Sequence, residues 1–187
     1  MVVCPSCGFE LADLRSPGRG ERIFDCVYKE SQFSVASERI RHASVDAAAS
    51  IMRAAPESAR RRPGCSEWSA LEHSCHLRDV LAVQRERVLQ ARRGFGAERI
   101  AMGREERVEH DGYNDQNPSD VAIQLEQMST LLANVLDRLG RADWELTVSY
   151  AFPEQSLRSL RWLAVHTAHE AVHHAHEIAS LVVSSAD

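Results

Sequence analysis

Residues 156–183 read SLRSLRWLAVHTAHEAVHHAHEIASLVV and keep a helical period over the whole stretch. The stretch contains five of the nine histidines of the chain. Because an α-helix advances by about 100° per residue, four of these histidines fall within about 80° of one another. These four are His166, His169, His173 and His176. Alanines repeat on the opposite side, where small side chains allow another helix to approach closely. A histidine stripe on a helix packed on both sides predicts partners from a second helix.

A second long helix is predicted to follow Ser69 and to end before Gly94. Ser69 and Glu72 have the spacing of a capping box, in which each side chain binds the backbone N–H of the other residue. Trp68 can pack against the first turns as a hydrophobic staple. Gly94 follows the last basic turn, as a C-cap glycine does.

Two further helices complete the predicted fold. One covers residues 34–56, where a proline ends it, and the other covers residues 118–139. Asn117 is the expected N-cap of the later helix, and Gly140 is its expected C-cap. Residues 95–117 are polar and aperiodic, and they are too numerous for an ordinary connection in a bundle. Four helices without a convincing strand ladder predict an all-α four-helix bundle.

The N-terminal residues 1–33 lack a helical period and predict a small cap on the bundle. They contain Cys4-Pro-Ser-Cys7-Gly, which has the pattern of a zinc knuckle but supplies only two thiolates. Cys26 lies at the distance expected of a zinc ribbon, whereas Lys29 occupies the place of a fourth cysteine. The sequence therefore predicts a structural Zn²⁺ bound by Cys4 and Cys7, with Cys26 as the favoured third ligand.

The remaining ligand of this cysteine site stays open at the level of sequence. The candidates are Cys65, Cys75 and a histidine. The alternative is a degenerate ribbon in which the thiols bind no metal.

Composition sets the broad class of protein. A chain of 187 residues with 44% hydrophobic residues is long enough for one domain and an appendage, which we divide into a cap at 1–33 and a bundle at 34–187. The net charge of −5 argues against a nucleic-acid partner. No apolar run reaches the roughly 20 residues of a membrane span, and no secretion signal is recognised, so we expect a cytoplasmic protein. Lys29 is the only lysine, and this arginine bias is typical of a high-GC bacterial genome.

Histidine spacing predicts a metal site between the second and fourth long helices. Two histidines four residues apart, such as His169 and His173, can direct ring nitrogens to one point, but a third ligand must come from elsewhere. His76 on the second helix is the best candidate, with Asp79 on the same face to support it. His73, nearer the helix start, is interpreted as an ordinary polar residue. Three histidines with open coordination positions describe a catalytic site better than a structural one.

Two stretches resemble the DinB superfamily of four-helix metalloproteins. The stretch WSALEHSCHLRDV (68–80) is similar to the second helix of that family, and HEAVHHAHEI (169–178) is similar to its last helix. The resemblance covers roughly residues 34–183. It implies an up-down-down-up bundle and a divalent metal, Zn²⁺ or else Ni²⁺, with His76, His169 and His173 as the ligands.

Other residues near these ligands receive roles that the resemblance suggests. His176 and Glu177 are candidate catalytic residues, with Glu177 placed to orient a ligand or exchange a proton, and His166 is a candidate neighbour of the site. His174 lies five residues after His169, so the spacing favours His173 as the ligand. For His166, His176 and Glu177, the alternative is that they are polar side chains that face solvent and take no part in the site.

The resemblance also implies a function. Its members include bacillithiol S-transferases and mycothiol-dependent maleylpyruvate isomerases, so we expect a transferase or isomerase that uses a small thiol, with mycothiol the natural choice, and an electrophilic substrate. The alternative is a noncatalytic metal-binding or stress-response protein. Four residues of the long loop are expected to cover the site: Arg104, Arg107, Asp111 and Tyr113. The sequence leaves a homodimer open.

Overall fold

The computed structural model describes residues 1–15, 25–98, 100–151 and 155–183. Its helices are α1 (Ala36–Arg53), α2 (Pro56–Arg60), α3 (Ala70–Arg92), α4 (Arg104–His110), α5 (Pro118–Leu136) and α6 (Leu160–Val183). Its strands are β1 (Val2–Val3), β2 (Glu10–Leu11), β3 (Asp13–Arg15), β4 (Asp25–Val27), β5 (Thr147–Tyr150) and β6 (Ser156–Ser159). Among the described helices, none combines the length and the hydrophobicity that crossing a membrane requires.

The four long helices form a bundle in which α1 and α3 each pack against both α5 and α6. The predicted all-α bundle is therefore confirmed. Its core consists mainly of leucine, isoleucine, valine and alanine side chains from these helices. The burial of this apolar surface is the main favourable contribution to folding.

Three contacts between helix ends fix the directions of the helices. The Ser69 hydroxyl before α3 donates to Asn114 Oδ1 before α5 at 2.7 Å, so α3 and α5 run parallel. Arg41 near the start of α1 binds Asp137 at the end of α5 at 2.6 Å, so these two helices are antiparallel. His73 near the start of α3 lies next to His174 in the later half of α6, so these two helices are antiparallel. In the order α1, α3, α5 and α6, the helix directions are therefore up-down-down-up, as predicted.

Most predicted helix ends are confirmed, whereas the predicted end of α5 is corrected. The Ser69–Glu72 capping box forms with both of its hydrogen bonds, and Asn117 accepts from the N–H of Ser119. Gly94 has a φ of +86° just beyond α3, a conformation that glycine adopts easily. The expectation that Gly140 caps α5 is wrong, because α5 already ends at Leu136. Short turn hydrogen bonds over residues 138–139 close the helix and bring Leu139 against the core.

The expectation that the chain forms no strand ladder is also wrong. Residues 156–159, predicted as helix, form β6 and pair antiparallel with β5. Two more small ladders, β1–β2 and β3–β4, lie in the N-terminal region. A helical period cannot reveal such pairing, because the partner strand lies elsewhere in the chain.

The β5–β6 hairpin is attached to the end of α3 by a close backbone contact. The N–H of Ser149 donates to Gly96 O at 2.8 Å. A Cβ at Gly96 would lie 2.0 Å from the carbonyl oxygen of Thr147, so only glycine fits there. This contact fixes Tyr150 on β5, whose hydroxyl lies 2.7 Å from His166 Nε2 on α6.

The segment at 95–117, predicted as a loop, contains α4 and a 3-10 turn (Tyr113–Asp115), and both are tied to α3 through Asp79. The Asp79 carboxylate is buried and accepts hydrogen bonds from Tyr113 at 2.7 Å, Arg78 at 2.8 Å and Arg107 at 3.1 Å. The sequence assigned Asp79 to the support of His76, and this is a correction: its partners lie in α3, α4 and the 3-10 turn. Asp79 fastens the connection between α3 and α5.

Candidate metal centres

Helix α6 carries two pairs of metal-binding side chains, each with a spacing of four residues. His169 and His173 form one pair, and Glu170 and His174 form the other. Because adjacent residues of a helix differ by about 100° in direction, the two pairs face different neighbours. Glu170 and His174 group with α3, whereas His169 and His173 group with residues 4–7 of the N-terminal region.

The pair of Glu170 and His174 forms a group with His76. His76, Glu170 and His174 each place one ligand atom within 4.8 Å of the others. His76 Nδ1 is buried and has no hydrogen-bond partner among the described residues, which is a costly arrangement unless a ligand satisfies it. Burial lowers the pKa of His76 to about 3, so the ring is neutral at pH 7, as metal ligation requires. Two imidazoles and one carboxylate fit a divalent ion and leave coordination positions open.

His73 and Glu177 extend this group. His73 Nδ1 lies 3.1 Å from His174 Nδ1 and 3.1 Å from Glu177 Oε2, and these three residues could also hold a metal ion. Glu177 Oε1 lies 3.1 Å from His173 Nε2. Burial opposes ionisation of Glu177, but hydrogen bonds from His173 and His174 hold its pKa well below the usual range. Glu177 is therefore a carboxylate in contact with the imidazole rings of His73, His173 and His174.

The pair of His169 and His173 forms a group with Cys4 and Cys7 of the knuckle. Cys4, Cys7, His169 and His173 each place one ligand atom within 4.8 Å of the others. The cysteines lie in a tight turn, in which the N–H of Gly8 donates to Cys4 O at 2.8 Å and Gly8 has a φ of +74°. All five cysteines are within the described residues, and none forms a disulfide bond. The cap and α6 thus meet at two sulfurs and two imidazoles.

Without a metal, the pKa values of His173 and Cys4 in this group are shifted in opposite directions. The nearby Cys7 sulfur and then the Glu177 carboxylate raise the pKa of His173 to about 11. Burial opposes ionisation of the Cys4 thiol, yet the backbone N–H groups of Cys7 and Ser6 lower its pKa. The arrangement favours a protonated His173, and a divalent cation would replace that proton.

A chain of hydroxyls and imidazoles connects this group with the hairpin. The Tyr28 hydroxyl lies 2.9 Å from His169 Nδ1 and 3.0 Å from His166 Nδ1. His166 Nε2 lies 2.7 Å from the Tyr150 hydroxyl. Burial lowers the pKa of His166, and it lowers that of His169 to about 4, so both rings are neutral at pH 7. The aromatic hydroxyls therefore hold two of the stripe histidines in fixed orientations.

The structure does not bring the predicted ligands His76, His169 and His173 to one point. Among the described residues, His76 groups with Glu170 and His174, while His169 and His173 group with cysteines. Helix phase gives the reason: the residue that faces α3 is His174, one position after the histidine favoured by spacing. Glu170 was missed, although Glu170 and His174 show the same four-residue spacing in the sequence.

The remaining predicted residues are distributed around these groups. Cys26 lies in β4, partly buried against the core, and is not a member of the four-residue group. His176 is exposed at the rim of the cleft and belongs to none of the groups. His73, interpreted as an ordinary polar residue, is instead a member of one group. Arg104 places its guanidinium 5.3 Å from the centre of the Trp68 ring, beside the cleft.

One cleft of about 1360 Å³ gives access to these residues. His76, Glu170 and His174 line it, as do Cys4 and Tyr28 of the N-terminal region. Its volume exceeds the roughly 300–1,000 Å³ of a typical small-molecule pocket. The cleft can therefore hold a sizeable ligand next to the open metal site.

We expect Glu177→Gln to weaken metal binding at His76, Glu170 and His174 by roughly 10- to 100-fold, which is the usual effect of losing an outer carboxylate partner. The amide keeps the shape of the side chain but loses the charge that orients His173 and His174. Competition with a chelator of known affinity measures the change. Glu126→Gln, an exposed position on α5, is the matched control and should leave the affinity unchanged. An unaltered affinity in Glu177→Gln would contradict the orienting role.

Comparisons with known proteins agree with this architecture. The model of the DinB superfamily matches residues 37–178. Among solved structures, YfiT from Bacillus subtilis, described as a probable metal-dependent hydrolase with an unusual four-helix bundle topology, is similar in fold. The TM-score is 0.70 at 14% sequence identity, with 91% of this chain and 93% of YfiT covered. No curated protein matches the sequence. The family match spans most of the chain, and the protein therefore belongs to the DinB superfamily.

Proposed function

We propose that this protein is a metal-dependent transferase or isomerase. It would use a small thiol such as mycothiol and act on an electrophilic substrate. The observation that carries the proposal is the group of His76, Glu170 and His174 beside a large cleft. Three protein ligands are typical of catalytic zinc sites, in which a further position remains for a substrate.

The ligand set favours catalysis over storage because its three side chains line a cleft, from which a substrate can reach a bound ion. A divalent ion held there would lower the pKa of a bound thiol or water and so supply a nucleophile at neutral pH. His76 is neutral at pH 7, and its buried Nδ1 has no hydrogen-bond partner among the described residues. Hydrogen bonding to Glu170 and Glu177 raises the pKa of His174 despite its burial, so protons compete with a metal ion for its ring nitrogen.

The walls of the cleft supply positioning groups for a thiol and its acceptor. The rings of Trp68 and His76 pack in a T-shaped arrangement with 5.0 Å between ring centres. Arg87 lies 4.7 Å from the centre of the Tyr150 ring at another part of the cleft. The combination of aromatic surface and guanidinium groups suits a polar cosubstrate with an anionic or carbonyl acceptor. The volume of about 1360 Å³ is compatible with two reactants together.

Hydrolysis is the second candidate function, favoured by the resemblance in fold to YfiT, which is described as a probable metal-dependent hydrolase. Water would then take the place of the thiol at the same site. A noncatalytic metal-binding role is the third alternative, since the same ligands could hold an ion without a reaction.

A thiol-consumption assay distinguishes these functions. Metal-loaded protein is incubated with mycothiol, bacillithiol or glutathione and a panel of electrophiles, and both thiol loss and products are measured. We expect turnover that needs metal and thiol together and that His76→Ala abolishes. Turnover without thiol would replace the proposal by hydrolysis, and no turnover above the metal-only background would replace it by noncatalytic binding. His42→Ala, an exposed histidine on α1, is the control variant.

A further inference from the structure

We propose that Cys4, Cys7, His169 and His173 form a second, structural zinc site that fastens the N-terminal cap to α6. The four ligand atoms lie within 4.8 Å of one another. A tetrahedral zinc site with two sulfurs and two nitrogens needs separations of roughly 3.3–3.8 Å, so only a small contraction is required. Four protein ligands leave no open position, which is typical of structural sites.

The ring nitrogens of His169 and His173 that form no hydrogen bond supply independent evidence for a ligand. His169 Nε2 and His173 Nδ1 are buried and have no hydrogen-bond partner among the described residues. The opposite nitrogens are engaged: His169 Nδ1 by the Tyr28 hydroxyl at 2.9 Å, and His173 Nε2 by Glu177 at 3.1 Å. This is the arrangement of a metal-bound histidine, in which one nitrogen binds the metal and the other binds an oxygen that fixes the tautomer.

The direction of the hydrogen bonds around Tyr28 indicates which nitrogen of the His169 ring carries a lone pair. If His169 Nδ1–H donates to the Tyr28 oxygen, the Tyr28 hydroxyl can donate to His166 Nδ1, and His166 Nε2–H can donate to Tyr150. His169 Nε2 then carries a lone pair directed away from Tyr28. In the reverse direction, His169 Nε2 would be a buried donor without an acceptor, which is costly.

The cysteines are presented in a turn of the kind that a zinc knuckle requires. The N–H of Gly8 donates to Cys4 O, and the N–H of Cys4 donates to Phe9 O, each at 2.8 Å. Phe9 is buried and places its ring 5.0 Å from the ring of His169. The apolar contacts of this cap are few, because its buried hydrophobic side chains within the described residues are Cys4, Phe9, Leu11 and Tyr28. A metal would therefore contribute substantially to its attachment.

The structural site would also help to shape the proposed catalytic site. Glu177 touches His173 of the cysteine group and both His73 and His174 of the other group. Cys4 and Tyr28 line the cleft that contains His76. Fixing the cap on α6 thus fixes one wall of the cleft and the orientation of Glu177.

Metal analysis of the full-length protein and its cysteine variants tests the site. The wild-type protein should hold one more zinc ion per chain than the Cys4→Ser/Cys7→Ser variant, whereas Cys26→Ser and Cys65→Ser should keep the wild-type content. Cobalt-substituted wild-type protein should show thiolate-to-cobalt charge-transfer absorption, and the double variant should lose it. Chelation or the double substitution should also speed tryptic cleavage within residues 1–33 while the helical circular dichroism remains.

The measurements separate this inference from the proposed function. His76→Ala should remove the catalytic metal and keep the thiolate-to-cobalt absorption. Absence of that absorption in wild-type protein would overturn the structural site even if no variant folded. Loss of a metal ion from the Cys26→Ser variant would overturn the proposed ligand set, because it would show that Cys26 is a ligand, as the sequence predicted.

Discussion

His174→Ala should lose the metal of the proposed catalytic site, with an affinity decrease of more than about 100-fold, because it removes a direct ligand where loss of an outer partner already costs 10- to 100-fold. His174 is buried, its ring centre lies 5.0 Å from that of His76, and it shares its group with Glu170. His173→Ala should instead spare this site and empty the cysteine group. The two variants differ by one residue along the helix and should lose different ions.

Isothermal titration with Zn²⁺, together with cobalt absorption, reads out both sites at once. His176→Ala is the matched control because His176 lies on the same helix and at the cleft but is exposed and belongs to no group. It should bind like the wild type. If His173→Ala loses the metal that His76 binds and His174→Ala keeps it, the register read from the structure is wrong and the one predicted from spacing is right.

Asp79→Asn should reduce the free energy of unfolding by about 3 kcal/mol, because it leaves the largely buried Arg78 guanidinium without its anion. The same substitution weakens the bonds from Tyr113 and Arg107, which hold the 3-10 turn and α4 on α3. Urea unfolding measures the difference, which should shift the midpoint and leave the slope of the unfolding free energy against urea concentration unchanged. Asp46→Asn, an exposed position on α1, should change the stability by less than about 0.5 kcal/mol.

The effect of Asp79→Asn should also depend on pH in a defined direction. Burial opposes ionisation of Asp79, but hydrogen bonds from Arg78 and Tyr113 hold its pKa below the usual range. Because the pKa of Asp79 is lower in the folded protein than in the unfolded chain, its ionisation stabilises the fold. This contribution is complete above the pKa of the unfolded chain, about 4, and it disappears as the pH falls through the pKa of the folded protein. The difference between wild type and variant should therefore shrink below about pH 4. A difference that stays constant down to pH 2 would contradict this ionic role.

The sequence predicted the bundle because its signals are local. The capping box at Ser69 and Glu72, the cap at Asn117 and the helical periods depend on residues within a few positions of one another. The same local signals failed at Gly140 and at residues 156–159, where the outcome depends on contacts with the core and with a partner strand.

For the candidate site, the sequence by itself determined which residue types are available, and the tertiary structure decided how they are grouped. The pair of His169 and His173 was recognised from its spacing, but the equally spaced pair of Glu170 and His174 was not. Spacing shows that two side chains share a face of a helix; it does not show which neighbour that face meets. The rotation of α6 in the bundle directs His174 toward His76 and directs His173 toward Cys4 and Cys7. That rotation results from the packing of α6 between α1 and α3, which no stretch of the sequence contains alone.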